Sequence, residues 1–101
     1  MQQEEKSDLF TIVLPNSGKA YKELQILQGR RPNQLSKAIN KLKLNPTNFK
    51  IKGIEKLKNS KLGTYSIRIS SGDRVFYDVD LKKKKVFILR AGKHDYYKLL
   101  Q

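Results

Sequence analysis

At 101 residues the chain is long enough for one small domain and too short for two, because a core of this size is already near the lower range of comfortable stability. Its 22 lysines and arginines against 9 acidic residues give +13 at pH 7, far more than solubility needs, which makes nucleic acid the leading partner class. Zero cysteines exclude disulfides and thiolate metal sites and fit a reducing compartment, and a single histidine argues against zinc; no cofactor is expected, and any catalysis is metal-free or uses a metal held by carboxylates alone.

Residues 1–8 are polar and read as a flexible tail. The acidic Glu4, Glu5 and Asp8 are wrong for a secretory signal, no run approaches the ~20 apolar residues of a spanning helix, and no stretch has the apolar length of a membrane-surface helix. A cytoplasmic protein is the expectation. Leu9 to Leu14 is a β-branched run stopped by Pro15, the pattern of a first strand. Asn16, Ser17 and Gly18 then make a turn with Ser17 as helix cap. Tyr21, Leu24 and Leu27 follow at helical spacing, and Gly29 closes that helix. Pro32 opens the next, with Leu35, Ile39 and Leu42 on one stripe and Asn45-Pro46 at its end. Both stripes read as core. So short a link between the helices implies an antiparallel hairpin. Residues 47–61 are lysine-rich with isolated apolar residues, and read as a loop carrying a short strand or turn.

Three clearer strand patterns follow. Tyr65, Ile67 and Ile69 alternate with polar residues, as do Val75, Tyr77 and Val79, so each strand has one apolar face. If the two pair through Ser71-Gly72-Asp73, a loop of odd length, Ile69 sits opposite Val75 and both apolar faces point the same way. Arg68 and Arg74 then emerge together on the other face. Val86 to Leu89 is apolar at every position, as in a strand covered on both sides, with Lys82 to Lys85 as the turn before it and Gly92 at its end. His94, Tyr96 and Tyr97 fall just beyond the sheet. The fold expected is a single α+β domain over residues 1–101: an N-terminal strand and helical hairpin packed on an antiparallel sheet of about four strands, with the other sheet face basic.

Within this order lie three short motifs: Gly63-Thr64-Tyr65-Ser66-Ile67-Arg68-Ile69 preceded by Leu57-Lys58, then Asp73-Arg74-Val75-Phe76-Tyr77, then Leu89-Arg90-Ala91-Gly92-Lys93-His94-Asp95-Tyr96-Tyr97. Individually weak, in this order and spacing they resemble the RelE/ParE superfamily of type II toxin–antitoxin toxins, nearest the RelE, YoeB and YafQ branches. The resemblance spans Phe10 to Tyr97. It implies a toxin that cleaves mRNA in the ribosomal A site and is silenced by an acidic antitoxin protein. It departs from RelE itself, which has a lysine where Ser66 stands and an arginine where His94 stands. The histidine-ending branches fit better, and they imply His94 in proton transfer with Arg68 and Arg74 on the phosphate.

Cleaving RNA without a metal needs the 2′-hydroxyl deprotonated, the phosphate's growing charge stabilised and the departing 5′-oxygen protonated. Arg68 and Arg74 offer guanidinium forks for phosphate oxygens, and His94 is the side chain that exchanges a proton near neutrality. Tyr97 stacks on a base or holds the phosphate, with Tyr96 the weaker candidate because one of the pair packs on the core. Lys52, Lys56, Lys58, the turn Lys82, Lys83, Lys84 and Lys85, and Lys93 are candidate RNA or ribosome contacts, or simply solvated charges. Arg90 is a further candidate contact, with a structural pairing to Asp78 or Asp80 as the favoured reading. Two rival functions remain open: a gyrase inhibitor like the ParE branch, without RNase activity, and a non-catalytic RNA- or ribosome-binding module.

Overall fold

The computed structural model describes residues 9–57 and 63–93. The expected tail, Lys58, the side chain of Lys93, and His94, Tyr96 and Tyr97 lie outside the described residues. In chain order the elements are β1 (Thr11–Val13), α1 (Gly18–Arg30), α2 (Pro32–Leu44), β2 (Ile54–Lys56), β3 (Tyr65–Ser70), β4 (Asp73–Asp80) and β5 (Lys85–Lys93). Among the described residues no helix is long and apolar enough to cross a membrane.

The helices begin and end for local reasons. Ser17 is extended at the N-cap of α1 but its hydroxyl makes no capping bond. Gly29 lies inside α1 rather than after it: the helix runs on to Arg30, and the Arg31 N–H donates to the Leu27 carbonyl at 2.7 Å. Pro32 opens α2 at a position where its missing N–H would have no intrahelical partner. Arg31 alone links the two helices. Leu27, Leu35 and Leu42 are buried as expected, whereas Tyr21 is 37% exposed and takes a 2.8 Å hydrogen bond from Gln25 Nε2 on its hydroxyl. Tyr21 lines a surface cavity with Leu14, Pro15, Leu24 and Gln28 rather than joining the core.

The α+β class matches the expectation. The sheet has five strands in the order β1-β5-β4-β3-β2, and it is mixed because β1 runs parallel to β5, with Ile12 opposite Val86. The extra strand is β2, from the lysine-rich segment. Patterning reveals that β1 is a strand but not which neighbour it takes; the crossover through both helices sets its direction. β5 is an interior strand between β1 and β4, and it continues through Gly92, which pairs with Arg74. Leu27, Leu35, Ala38 and Leu42 meet Ile67, Val75, Val86, Ile88 and Ala91 in one core.

The β3–β4 hairpin keeps the expected faces by a different register. Ile67, not Ile69, sits opposite Val75, Arg68 sits opposite Arg74, and the register slips between Arg68 and Ser70. Only Ser71 and Gly72 separate the strands, so the odd residue that preserves the faces is a bulge at Ile69 instead of a third loop position. Asp73, expected in the loop, begins β4 and is 2% exposed. The face turned away from the core is not merely basic: Ser66, Arg74 and Phe76 on it are all buried.

Asp73 ties the hairpin to the interhelical link. Arg30 Nη2 donates to both of its oxygens at 2.8 and 3.0 Å, the Ser70 hydroxyl donates at 2.7 Å, and Arg31 Nε lies 3.6 Å away. Burial alone would raise the carboxyl's pKa, but the Ser70 bond and the two arginines outweigh it and hold it below its ordinary 3.8. A lowered folded-state pKa means stability that is full above the ordinary value and lost as pH falls through the folded one. Asp73→Asn should therefore cost about 1–2 kcal/mol in urea unfolding at pH 7, since both arginines stay half in water, and the difference from wild type should shrink toward pH 3. A difference that persists unchanged at pH 3 would place its origin elsewhere.

Gly63 explains why the first motif opens on glycine. Its φ of +141° disfavours any side chain, and a Cβ there would sit 3.0 Å from Leu89 Cδ1 and 3.1 Å from the Tyr77 carbonyl oxygen.

Candidate active site

Arg68 and Arg74 are directly opposed on β3 and β4, on the face away from the helices. Like charges directly across a strand pair repel, and an anion between them removes that cost. They differ in setting. Arg68 is exposed, and among the described residues no carboxylate lies within ion-pair distance of it. Arg74 is buried to 3% exposure. Its Nη1 donates to Ser66 Oγ at 3.2 Å and lies 3.1 Å from Glu55 Oε1. Its Nε is buried with no hydrogen-bond partner, and no bond to Nη2 is present among the described residues.

That asymmetry defines a binding edge. The Nε–H and Nη2–H of a guanidinium lie side by side and match two oxygens of a phosphate or carboxylate. Ser66 and Glu55 hold Arg74 by the other nitrogen, so the fork is fixed in orientation with its two-donor edge free of hydrogen-bond partners among the described residues. A buried N–H left unpaired costs free energy, and a bound oxyanion would recover it.

Glu55 was not singled out by its sequence context, which reads as a solvated lysine-rich loop. Its place on β2, opposite Ser66, puts its half-exposed carboxylate beside Arg74. Gly53 makes this corner close-packed. Its carbonyl accepts from the Arg68 N–H at 2.9 Å, and at φ +99° a Cβ there would stand 3.3 Å from Arg68 Cβ.

The other expected contacts are spread out. Lys52 is exposed next to Gly53, near the arginine pair, and Lys56 is exposed opposite Tyr65, on the helix-bearing face. Lys82, Lys83 and Lys85 are exposed and Lys84 partly so, but their turn follows Asp80, about 20 Å along β4 from Arg74. Lys84 takes a left-handed φ of 56°, with Nζ 5.2 Å from the centroid of Phe10. Arg90 pairs not with Asp78 or Asp80 but with Glu23 of α1, its Nε and Nη2 each donating at 2.8 Å to one carboxylate oxygen. The open edge of β5 beyond its pairing with β1 lets α1 reach it, and the Ala91 N–H also donates to Glu23 at 3.3 Å. Asp78 instead takes the Thr64 N–H at 2.6 Å.

No protein-family model matches this sequence, and no curated protein matches it. Solved structures do resemble its fold. YafQ from E. coli superposes with a TM-score of 0.62 at 19% identity, covering 84% of this chain and 93% of YafQ. A chain of the RelBE2 toxin–antitoxin complex from Mycobacterium tuberculosis superposes with a TM-score of 0.53 at 21% identity, covering 85% of this chain and 99% of the other. The fold is therefore that of RelE-like toxins.

Proposed function

We propose that this chain is the toxin of a type II toxin–antitoxin system and a metal-independent endoribonuclease that cuts mRNA, with the ribosome as the setting of cleavage. The observation that carries the reading is Arg74, whose Nε is buried without a hydrogen-bond partner, directly opposite Arg68, which has no ion-pair partner among the described residues. Two guanidiniums in that arrangement suit the two free oxygens of one phosphodiester, and hold more charge as the transition state forms. The 2′-oxygen attacks phosphorus, the 5′-oxygen leaves, and a 2′,3′-cyclic phosphate results. Glu55, beside Arg74, is the group assigned to take the 2′-hydroxyl proton. His94, from the resemblance, is the group assigned to protonate the leaving oxygen. The fold shared with YafQ and the RelBE2 toxin, and the three ordered motifs, support the same reading.

The test is primer extension on translating ribosomes, and on the same mRNA free in solution, each with a chelator present. Cuts that survive the chelator support the reading. Growth arrest with no cuts in either format moves the assignment to gyrase inhibition, and ribosome binding with neither cuts nor arrest moves it to a non-catalytic module.

The antitoxin partner belongs to the same proposal. At +13 the chain favours charge-steered capture of an acidic protein segment, so complex formation should slow and weaken as salt rises from about 0.05 to 0.5 M. An association rate indifferent to salt would remove the electrostatic part.

A further inference from the structure

Three aromatic rings form a continuous stack from the interior to the surface. Tyr77 is fully buried, and its hydroxyl donates to the Pro46 carbonyl at 2.6 Å. Tyr65 stacks on Tyr77 with centroids 5.7 Å apart and planes 19° from parallel. Phe49 stacks on Tyr65 at 6.0 Å and 27°, and it is 55% exposed. The outermost ring thus leaves much of its surface to solvent.

The loop that carries Phe49 is held at several points. Tyr77 pins Pro46, the Asn48 side chain takes the Lys50 N–H at 3.0 Å, and the Ile51 N–H donates to the Asn48 carbonyl at 3.1 Å. The ring is therefore presented in place, which lowers the entropy cost of using it. Its surroundings are cationic. Lys50 and Lys52 follow it in the chain and are exposed, and Lys56 is the exposed cross-strand partner of Tyr65. Four residues on, Gly53 bonds Arg68. Phe49 is thus at most about 14 Å of chain from Gly53, whose carbonyl takes the Arg68 N–H, while the arginine side chains lie on the opposite face of the sheet.

From this juxtaposition we infer that Phe49 is a stacking platform for one unpaired nucleobase of an RNA strand whose neighbouring phosphates lie on Lys50, Lys52 and Lys56. The inference rests on the proposed action on RNA and adds to it a second contact, outside the arginine pair, that grips the strand a short distance from the cut. Stacking reads any base through its π-face, so the contact adds affinity without demanding a sequence. Lysines alone would attract a polyanion of any kind, but a ring held open among them selects one with exposed bases over an acidic protein segment.

The experiment uses the full chain and an uncleavable 2′-O-methyl oligoribonucleotide, with binding read by fluorescence anisotropy, alongside versions of the oligonucleotide made abasic at one position at a time. Phe49→Ala should weaken binding roughly 5- to 100-fold and Phe49→Trp should preserve it. One abasic position should reproduce the loss in the wild type and cost nothing more in Phe49→Ala. Binding of Phe49→Ala within about twofold of wild type, or abasic losses that add fully to the mutation, overturns the platform. So does a loss confined to binding an acidic protein partner. Cleavage is scored separately: Phe49–base coupling without any RNA cutting keeps the platform and sinks the RNase reading, whereas cutting with no such coupling does the reverse.

Discussion

Replacing Arg74 with alanine is expected to slow RNA cleavage by about 10²–10³-fold, the usual cost of removing one preorganised donor from a developing oxyanion. The side chain is buried, so lost activity has to be separated from lost folding. Ser66 and Glu55 are its partners; Glu55 is mostly exposed and regains water when released, so the main structural cost is a cavity beside Ser66 and Phe76. Arg74→Lys resolves the ambiguity. It keeps the charge and much of the volume but cannot offer two parallel donors while also holding Ser66. A functional fork predicts that Arg74→Lys melts close to wild type yet cuts nearly as poorly as Arg74→Ala, with the loss in kcat more than in KM. Arg68→Ala, at an exposed position, should cost less and raise KM as well. An Arg74→Lys protein that folds and cuts at the wild-type rate would make Arg74 a structural ion-pair partner and leave the phosphate to other residues.

The arginine pair was legible in the sequence because alternation fixes faces, and faces survive a register shift of two. The register itself was not, because one bulged residue at Ile69 does the work that a third loop residue would have done, and both keep the same parity. Asp73 was misplaced for the same reason: in the sequence it looks like a turn residue, and only the bulge pulls it into β4, where Arg30 can reach it. The partners that escaped detection are far apart in the chain. Glu23 and Arg90 are separated by 67 positions, and nothing local to either marks the other. Glu55 was hidden by its neighbours, since a lone carboxylate among lysines reads as a solvated charge until a short strand sets it opposite Ser66. Phe49 was hidden likewise, being one isolated apolar residue until its ring is placed on Tyr65. The ends of α2 were readable because Pro32 and Asn45-Pro46 act through the backbone alone, whereas Gly29 did not end α1, which runs on to Arg30.

The second large effect concerns the proton. Two residues are assigned to it, Glu55 at the fork and His94 beyond the end of β5, and they predict different signatures. His94→Gln should reduce cleavage by about 10²–10⁴-fold while leaving folding and RNA binding intact, the range for a positioned acid or base. If His94 acts as the acid, the wild-type rate should fall as rising pH removes the imidazolium proton, and the variant should lose that limb of the profile. Glu55→Gln keeps an oxygen for the Arg74 bond but removes the proton acceptor. It should slow cleavage by a similar order. A substrate whose leaving 5′-oxygen is replaced by sulfur needs little help from an acid, so it should rescue His94→Gln and not Glu55→Gln. Rescue of Glu55→Gln instead would exchange the two roles. Wild-type cutting by the His94→Gln protein would remove that residue from the chemistry and leave Glu55 with the arginines as the whole of the site.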